Sequence, residues 1–321
     1  MQDKTKTILV TGATGFIGQH LCQQLLGSGY RVKALLRSFE QAKKLPQGLE
    51  HLMGDLSDIS GLLEACEGVD VIVHLAGVAH VNNVAKKVLH EVNIEGTRKL
   101  LQAAIDKRVT RFVFISSSFA STAENSAPDS TSYGQSKLVA EQLLHAARAR
   151  GDIENVVLRP VNVYGRGMKG NLARMASLIS RGRLPPLPRL DTKLSLVGVE
   201  DLTQAIMLSV EAPQANGKIY YVTDGIDYTV QEIEQAIYAA LGKKLPAWKT
   251  PRMVLYIAAV SMGWVRKILN LFGLGNRWAG GITERTYKNL VTDNAISNDQ
   301  LCDELGFKPT TSFHESLPRI L

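Results

Sequence analysis

The chain has 321 residues, 45% of them hydrophobic, and its formal net charge is +7. That length allows one large domain or two modest ones, and the composition is that of a globular protein, which excludes a disordered, fibrous or polytopic membrane chain. The basic residues are spread along the sequence rather than blocked, so a phosphorylated small molecule is expected as partner and nucleic acid is not.

A short polar leader carrying Lys4 and Lys6 precedes the first apolar run, so no secretory signal is expected. Ile8–Val10 reads as a strand and Phe16–Leu26, with i, i+3, i+4 apolar spacing, as a helix. Between them Gly12, Gly15 and Gly18 follow the strand and open the helix. There a diphosphate can approach bare backbone N–H groups at the positive end of the helix dipole. Further strand-like runs follow at 31–36, 49–53, 69–76, 111–116 and 155–160. Helical patterns separate them, including Val88–Ile105 and a run from Tyr133 to near Arg150. Such alternation calls for crossover connections and a doubly wound parallel α/β sheet. After Pro160 the texture changes to Gly-, Pro- and Arg-rich loops, "YGRGMKGN" and "RGRLPPLPRL". The expected division is a dinucleotide-binding domain at 1–165, with 193–225 returning to it, and a smaller substrate domain at 166–192 and 226–321. Cys22, Cys66 and Cys302 lack pairwise spacing and the seven histidines lack ligand spacing. No disulfide or metal site is therefore expected, and a reducing, cytoplasmic compartment is.

The spacing Gly-x-x-Gly-x-x-Gly resembles the short-chain dehydrogenase/reductase superfamily in its extended form, which includes the nucleotide-sugar epimerases and dehydratases. "GDLSD" at 54–58, "HLAGVAHV" at 74–81, "VNIEGTRKLL" at 92–101, "FVFISSS" at 112–118, "YGQSK" at 133–137 and "LRPVNVYGRGMKGNL" at 158–172 extend the likeness over nearly the whole chain. The resemblance implies a Rossmann sheet and a nicotinamide dinucleotide. Its cofactor contacts map onto Gly12, Thr14, Gly15, Phe16, Ile17 and Gly18 in the first loop and onto Asp55 and Leu56 at the adenine. Further on they map onto Leu75, Ala76, Gly77 and Asn93, then onto Tyr133, Lys137 and Pro160. The resemblance also implies a homodimer.

The chemistry can be argued from the residues. Tyr133 and Lys137 lie four apart at the head of a helical run, so they share a face. For a phenol to exchange protons near neutrality its pKa must drop by roughly three units, worth about 4 kcal/mol. A lysine cation 4–5 Å away supplies roughly 3–4 kcal/mol at an effective dielectric of 20. A hydroxyl must also hold the substrate oxygen. Ser116, Ser117 and Ser118 end a strand, and the resemblance favours Ser117, with Ser118 next. One departure from the family pattern is a short interval of 15 residues between Ser117 and Tyr133.

The second strand ends in Arg37 and Ser38 with no acidic residue, which favours NADP(H) over NAD(H), since a guanidinium can fork onto a 2′-phosphate. For a UDP-sugar, the resemblance directs His80, Ser118, Asn162, Asn171 and Leu172 toward the substrate. Where relatives carry an arginine this chain has Leu194, so the diphosphate anchor is expected at Lys193, Arg189 or Arg285.

The stretch 250–278 is apolar, bears tryptophans and is flanked by Arg252, Arg266, Lys267 and Arg277. Its longest uncharged run, Met253–Val265, is 13 residues, short of the roughly 20 that span a bilayer. A packed helix or subunit contact is expected there, with peripheral membrane contact as the alternative. Taken together, the sequence predicts hydride chemistry at C4 of a UDP-sugar. A 4-ketoreductase comes first, in surface-polysaccharide sugar synthesis, and a UDP-hexose or UDP-N-acetylhexosamine 4-epimerase second. A reductase of a lipid-like alcohol is the third reading.

Overall fold

The computed structural model describes residues 5–79, 85–125, 130–271, 287 and 290–321, with side chains described up to residue 261 in the helix that ends at 271. In chain order the elements are β1 (Thr7–Thr11), α1 (Phe16–Gly27), β2 (Arg31–Leu36), α2 (Phe39–Ala42), β3 (Glu50–Met53), α3 (Ile59–Ala65) and β4 (Val71–His74). Next come α4 (Lys86–Leu89), a π-helical turn (His90–Glu95), α5 (Gly96–Asp106), β5 (Arg111–Ile115), α6 (Phe119–Glu124), α7 (Ser132–Ala149) and β6 (Glu154–Pro160). Then follow β7 (Asn162–Tyr164), α8 (Asn171–Ser180), β8 (Lys193–Gly198), α9 (Val199–Glu211), β9 (Ile219–Val222), β10 (Asp227–Thr229), α10 (Val230–Ala240), α11 (Arg252–Leu271) and two helices, Asp299–Leu305 and Phe313–Ile320.

Two compact units result. The first holds residues 1–163, 197–224 and 297–311, the second 164–196, 225–296 and 312–321. The sequence puts 297–311 with the substrate domain, whereas the structure returns it to the first unit. The cause is side-chain pairing: Asn298 Nδ2 donates to the Thr223 carbonyl at 2.8 Å, and the Tyr220 hydroxyl donates to Glu304 at 2.6 Å, fastening the helix Asp299–Leu305 to β9.

In the first unit seven parallel strands run β3-β2-β1-β4-β5-β6-β9. Order reverses between β1 and β4, and β1 pairs with both β2 and β4 through Ile8 (Ile8↔Val32, Ile8↔Val71). A sheet reversed in this way leaves a crevice at the carboxyl ends of those strands, where open α/β sheets bind ligands. Both faces are covered, so β1 and β5 are buried at every position and their central residues, Ile8–Val10 and Phe112–Ile115, are continuously apolar. One face packs Leu9, Ile72, Phe112, Phe114 and Val157 against Leu62, Leu100 and Leu144 of α3, α5 and α7. Arg111, buried at the head of β5, is tolerated because its Nη1 donates to the carbonyls of Ser209, Val210 and Ala212 at 3.0, 3.1 and 2.9 Å, capping the end of α9, while Glu154 takes its other edge at 2.7 Å.

In the second unit β10 pairs antiparallel with β8, matching Tyr228 to Leu194. Tyr228 and Tyr164 meet the Phe313 ring edge-on at 5.9 and 5.2 Å, and Ile233, Ile237 and Leu317 close the core around them. Thr229 and Ser312 each form a reciprocal capping box, with Glu232 and Glu315, that starts α10 and the last helix.

Candidate active site

The three glycines of the first loop have different jobs. Gly12 has φ +72, and a Cβ there would lie 2.7 Å from the Ala76 nitrogen at the end of β4. A Cβ on Gly18 would lie 2.3 Å from the Gly12 carbonyl oxygen. Both positions are closed by the protein itself. Gly15 is the least enclosed of the three, its added Cβ meeting the Gly12 oxygen at 3.1 Å and nothing else within 4 Å. Gly15 is also the N-cap of α1 and supplies no side-chain cap, so the first-turn N–H groups of a twelve-residue helix are free for an anion. The sequence assigns all three glycines to making room for a diphosphate; in the structure Gly12 and Gly18 are also required by the protein's own packing. A dinucleotide fits this cradle. Gly18→Ala is expected to cost about 3 kcal/mol of stability through backbone overpacking, lowering the melting temperature, whereas Gly15→Ala should melt as the parent does and lose nucleotide affinity in a titration.

Below the loop a chain of hydrogen bonds joins β1, β4 and α5. The Asn93 carbonyl can only accept, so the Thr97 hydroxyl donates to it at 2.7 Å and must accept from His74 Nε2 at 3.0 Å. That fixes the tautomer: His74 Nδ1 accepts from the Thr11 hydroxyl at 2.6 Å, which in turn accepts from the Ala76 N–H at 3.3 Å. The imidazole lies between Phe112 and Phe114, and burial, helped by the Lys137 cation, pushes its pKa down to about 3. The ring is therefore a neutral brace.

Asn93 sits in the π-helical turn that interrupts the expected helix Val88–Ile105. Its Oδ1 accepts from Val78 N at 2.8 Å, and its Nδ2 donates to Val78 O at 3.2 Å and to Ser136 Oγ at 2.9 Å. Both amide donors are engaged within the protein. Asn93, expected among the nucleotide contacts, thus acts by holding the loop after β4 to α7.

Of the three serines, Ser116 donates to the Glu141 carboxylate and Ser118 occupies the N-cap position of α6. The Ser117 hydroxyl accepts from Phe119 N at 3.3 Å and acts on the Tyr133 phenol to lower its pKa. The Ser117–Tyr133 interval contains α6, which α7 approaches closely: a Cβ on Gly134 would lie 2.2 Å from the Phe119 carbonyl oxygen. Thr131 caps α7 by accepting from Gly134 N at 2.9 Å, which brings Tyr133 and Lys137 onto its first turns.

The sequence expects Lys137 to pull the phenol toward neutrality. In the structure the reverse holds: desolvation pushes Tyr133 up to about 12, offset only by the Ser117 hydroxyl. Lys137 is 4% exposed, and its ammonium donates to the Ile115 carbonyl at 2.8 Å and lies 4.6 Å above the Phe114 ring. Burial brings Lys137 down to about 8, with the Glu141 carboxylate working against that fall. Glu141 stands one turn beyond Lys137 and receives Arg159 Nε at 3.1 Å and Nη2 at 2.6 Å. Arg159 also reaches Glu124 at 2.8 Å and the Tyr221 hydroxyl at 3.0 Å. The sequence reading missed this fork, as well as His74, Thr11, Thr97 and Ser136. Its available signal was an arginine inside a strand buried on both faces, which must find a partner.

The other expected residues fall as follows. Thr14, Phe16 and Ile17 line the loop and first turn of α1, with Thr14 O accepting from Gln19 at 2.9 Å. Arg37 is exposed just past β2, and its charge acts on Asp55, whose carboxylate is held below its usual range chiefly by hydrogen bonds from Ser57. Leu56 packs under Gly96. Leu75 and Ala76 close over Gly12, and an added Cβ at Gly77 would lie 3.5 Å from the Lys137 ammonium. Pro160 is buried at the end of β6, where its carbonyl accepts from Ser118 N at 3.1 Å, and Asn162 begins β7. In the second unit Asn171 opens α8, Leu172 joins the core around Tyr228, and the Lys193 N–H donates to Asp293 at 2.7 Å. His80 and Arg285 lie outside the described residues.

The sequence profile of a family described as NAD dependent epimerase/dehydratase matches residues 8–223. UDP-glucose 4-epimerase of Vibrio cholerae is 33% identical over 97% of this chain and 93% of its own length. The 2-alkyl-3-oxoalkanoate reductase of Stenotrophomonas maltophilia (strain K279a) is 27% identical over 98% of each chain. The solved structure of Thermus thermophilus UDP-glucose 4-epimerase in complex with NAD is 25% identical, with a TM-score of 0.72 over 98% of this chain and 97% of that one.

Proposed function

Because the chain belongs to the NAD-dependent epimerase/dehydratase family, we propose that it moves hydride at C4 of a UDP-sugar, and that the reaction is reduction of a 4-keto sugar with NADPH in surface-polysaccharide sugar synthesis. The observation that best supports this reading is that α7 carries Tyr133 and Lys137 one turn apart, with the Lys137 ammonium buried against the Ile115 carbonyl at the end of β5. With its pKa near 12 the Tyr133 phenol holds its proton at neutral pH, the state that ketone reduction requires. Tyr133 gives that proton to the C4 oxygen, Ser117 donates a hydrogen bond that holds the oxygen in place, and the Lys137 ammonium stabilises the phenolate left behind. The nicotinamide, when bound, supplies the hydride to C4. The first-turn N–H groups of α1 and Gly15 would hold its diphosphate. Asn162, Asn171, Leu172 and Lys193 are the candidates for the UDP-sugar.

Arg37 supports NADP(H). Arg37→Ala is expected to weaken NADPH binding roughly 10- to 100-fold, the worth of a charge-assisted hydrogen bond, and to leave NADH binding nearly unchanged in parallel titrations. A second reading, 4-epimerisation of a UDP-hexose or UDP-N-acetylhexosamine, draws on the full-length likeness to the Vibrio cholerae enzyme. One experiment separates the two: purified protein is denatured and its released nucleotide identified. An empty protein that then oxidises NADPH with a UDP-4-keto sugar supports the reductase, whereas tightly retained NAD supports the epimerase. No heat on titration with UDP or UDP-N-acetylglucosamine would remove both and favour the lipid-like alcohol. A homodimer and a cytoplasmic location belong to the same proposal.

A further inference from the structure

Between Glu234 and Glu284 the chain carries no acidic residue: all 30 of its carboxylate side chains lie outside the interval. Inside it are seven Lys and Arg residues and all three tryptophans, Trp248, Trp264 and Trp278. The second unit folds the first part of this interval into α11 and the turn before it. In its first turns α11 buries one line only, Leu255 and Ala259, at 2% and 0% exposure. At 100° per residue the opposite side carries Met253 and Ile257 with Val254 beside them, and these are 66%, 58% and 54% exposed. Trp248 stands 59% exposed just before the helix. A helical stretch apolar on every side is ordinarily enclosed; Met253–Val260 is not.

The segments that lead into and brace the start of this helix carry an excess of cations. Arg252 Nε donates to the Arg189 carbonyl at 3.1 Å and Thr250 N to the Pro186 carbonyl at 3.3 Å, which sets the helix start against the 186–189 loop. Lys243 donates to the Ser180 carbonyl, next to exposed Arg181 and Arg183. Lys244 is exposed beside it. Glu234 is fully buried and paired with Lys249 at 2.7 Å, so it cancels none of the exposed cations. The exposed carboxylates nearest in sequence are Glu232 on α10 and Asp191, two residues past Arg189.

We infer that the Trp248–Ile257 face of α11, with its surrounding cations, docks on an anionic lipid surface. Apolar side chains with tryptophan on one side and Lys and Arg around them form the pattern of helices that lie in the headgroup region. Among the described residues no helix is long and apolar enough to cross a membrane, so the contact is lateral. A second copy of the chain is the poorer occupant, because a two-fold contact places the same patch against itself and would set these cations face to face. A lipid headgroup layer supplies the opposite charge.

The test uses the full chain and vesicles of phosphatidylcholine with or without phosphatidylglycerol. The protein is expected to sediment with phosphatidylglycerol vesicles at low salt, to shift its tryptophan emission to shorter wavelength, and to be released as ionic strength rises. Met253→Gln/Ile257→Gln should abolish sedimentation, and each of Lys244→Glu and Arg181→Glu should weaken it roughly five-fold or more, all with an unchanged melting temperature. Protein that stays in the supernatant at low salt overturns the inference, as does equal binding to pure phosphatidylcholine or binding that ignores these substitutions. A dimer in solution that Met253→Gln/Ile257→Gln dissociates would also overturn it by assigning the face to a second copy.

Discussion

Tyr133→Phe is expected to lower kcat by roughly 10²- to 10⁴-fold, the usual worth of a positioned general acid, with nucleotide affinity and melting temperature nearly unchanged. The reasoning is local. The ring stays packed edge-on at 6.5 Å from Phe119, so deleting the hydroxyl removes the proton and little else. Steady-state kinetics with NADPH, beside a binding titration, check it; turnover retained at the parental rate would assign the proton to another group. The parent's kcat should also fall as pH rises through about 8, where Lys137 gives up its charge and no longer supports a phenolate at residue 133.

Glu141→Leu is expected to cost about 3 kcal/mol of stability, the low end of the penalty for breaking a buried ion pair, because Arg159 keeps Glu124 at 2.8 Å. Glu141 and Arg159 are 1% and 3% exposed, so neither can turn to water. At about 2–4 °C per kcal/mol the melting temperature should drop on the order of 10 °C. Adding Arg159→Met should recover most of that loss, because an apolar pair of similar volume has no charge to desolvate. The milder Glu141→Gln tests a link to the chemistry. Since the Glu141 carboxylate favours the charged form of Lys137, its removal should move the kcat midpoint below about 8. A profile that stays in place would confine the pair to a structural role.

Much of the first unit was legible because its strands are buried on both faces and stand out as apolar runs between helical periods. β9 was not: "IYYV" is four residues long and gains its strand character only by pairing with β6, as in Leu158↔Tyr220. The return of 297–311 was hidden for the same reason, since Asn298 and Thr223 are 75 positions apart. Tyr133 and Lys137 were readable from helical spacing, but spacing does not reveal where an ammonium points. Here it goes to the Ile115 carbonyl, and the phenol rises where the sequence expects it to fall. The brace around His74 lay beyond local patterns because Thr11 and Thr97 stand 63 and 23 positions from it.

The way Gly12 and Gly18 are held has a thermodynamic side. Their close approach to Ala76 and to the loop's own backbone packs the first turn tightly before any ligand arrives. A dinucleotide arriving there has no chain entropy to overcome, and its affinity reflects the gross strength of its contacts rather than a remainder left after ordering. Discrimination between cofactors then falls to flexible side chains at the rim, such as Arg37, and the loop contributes the same rigid seat to either one.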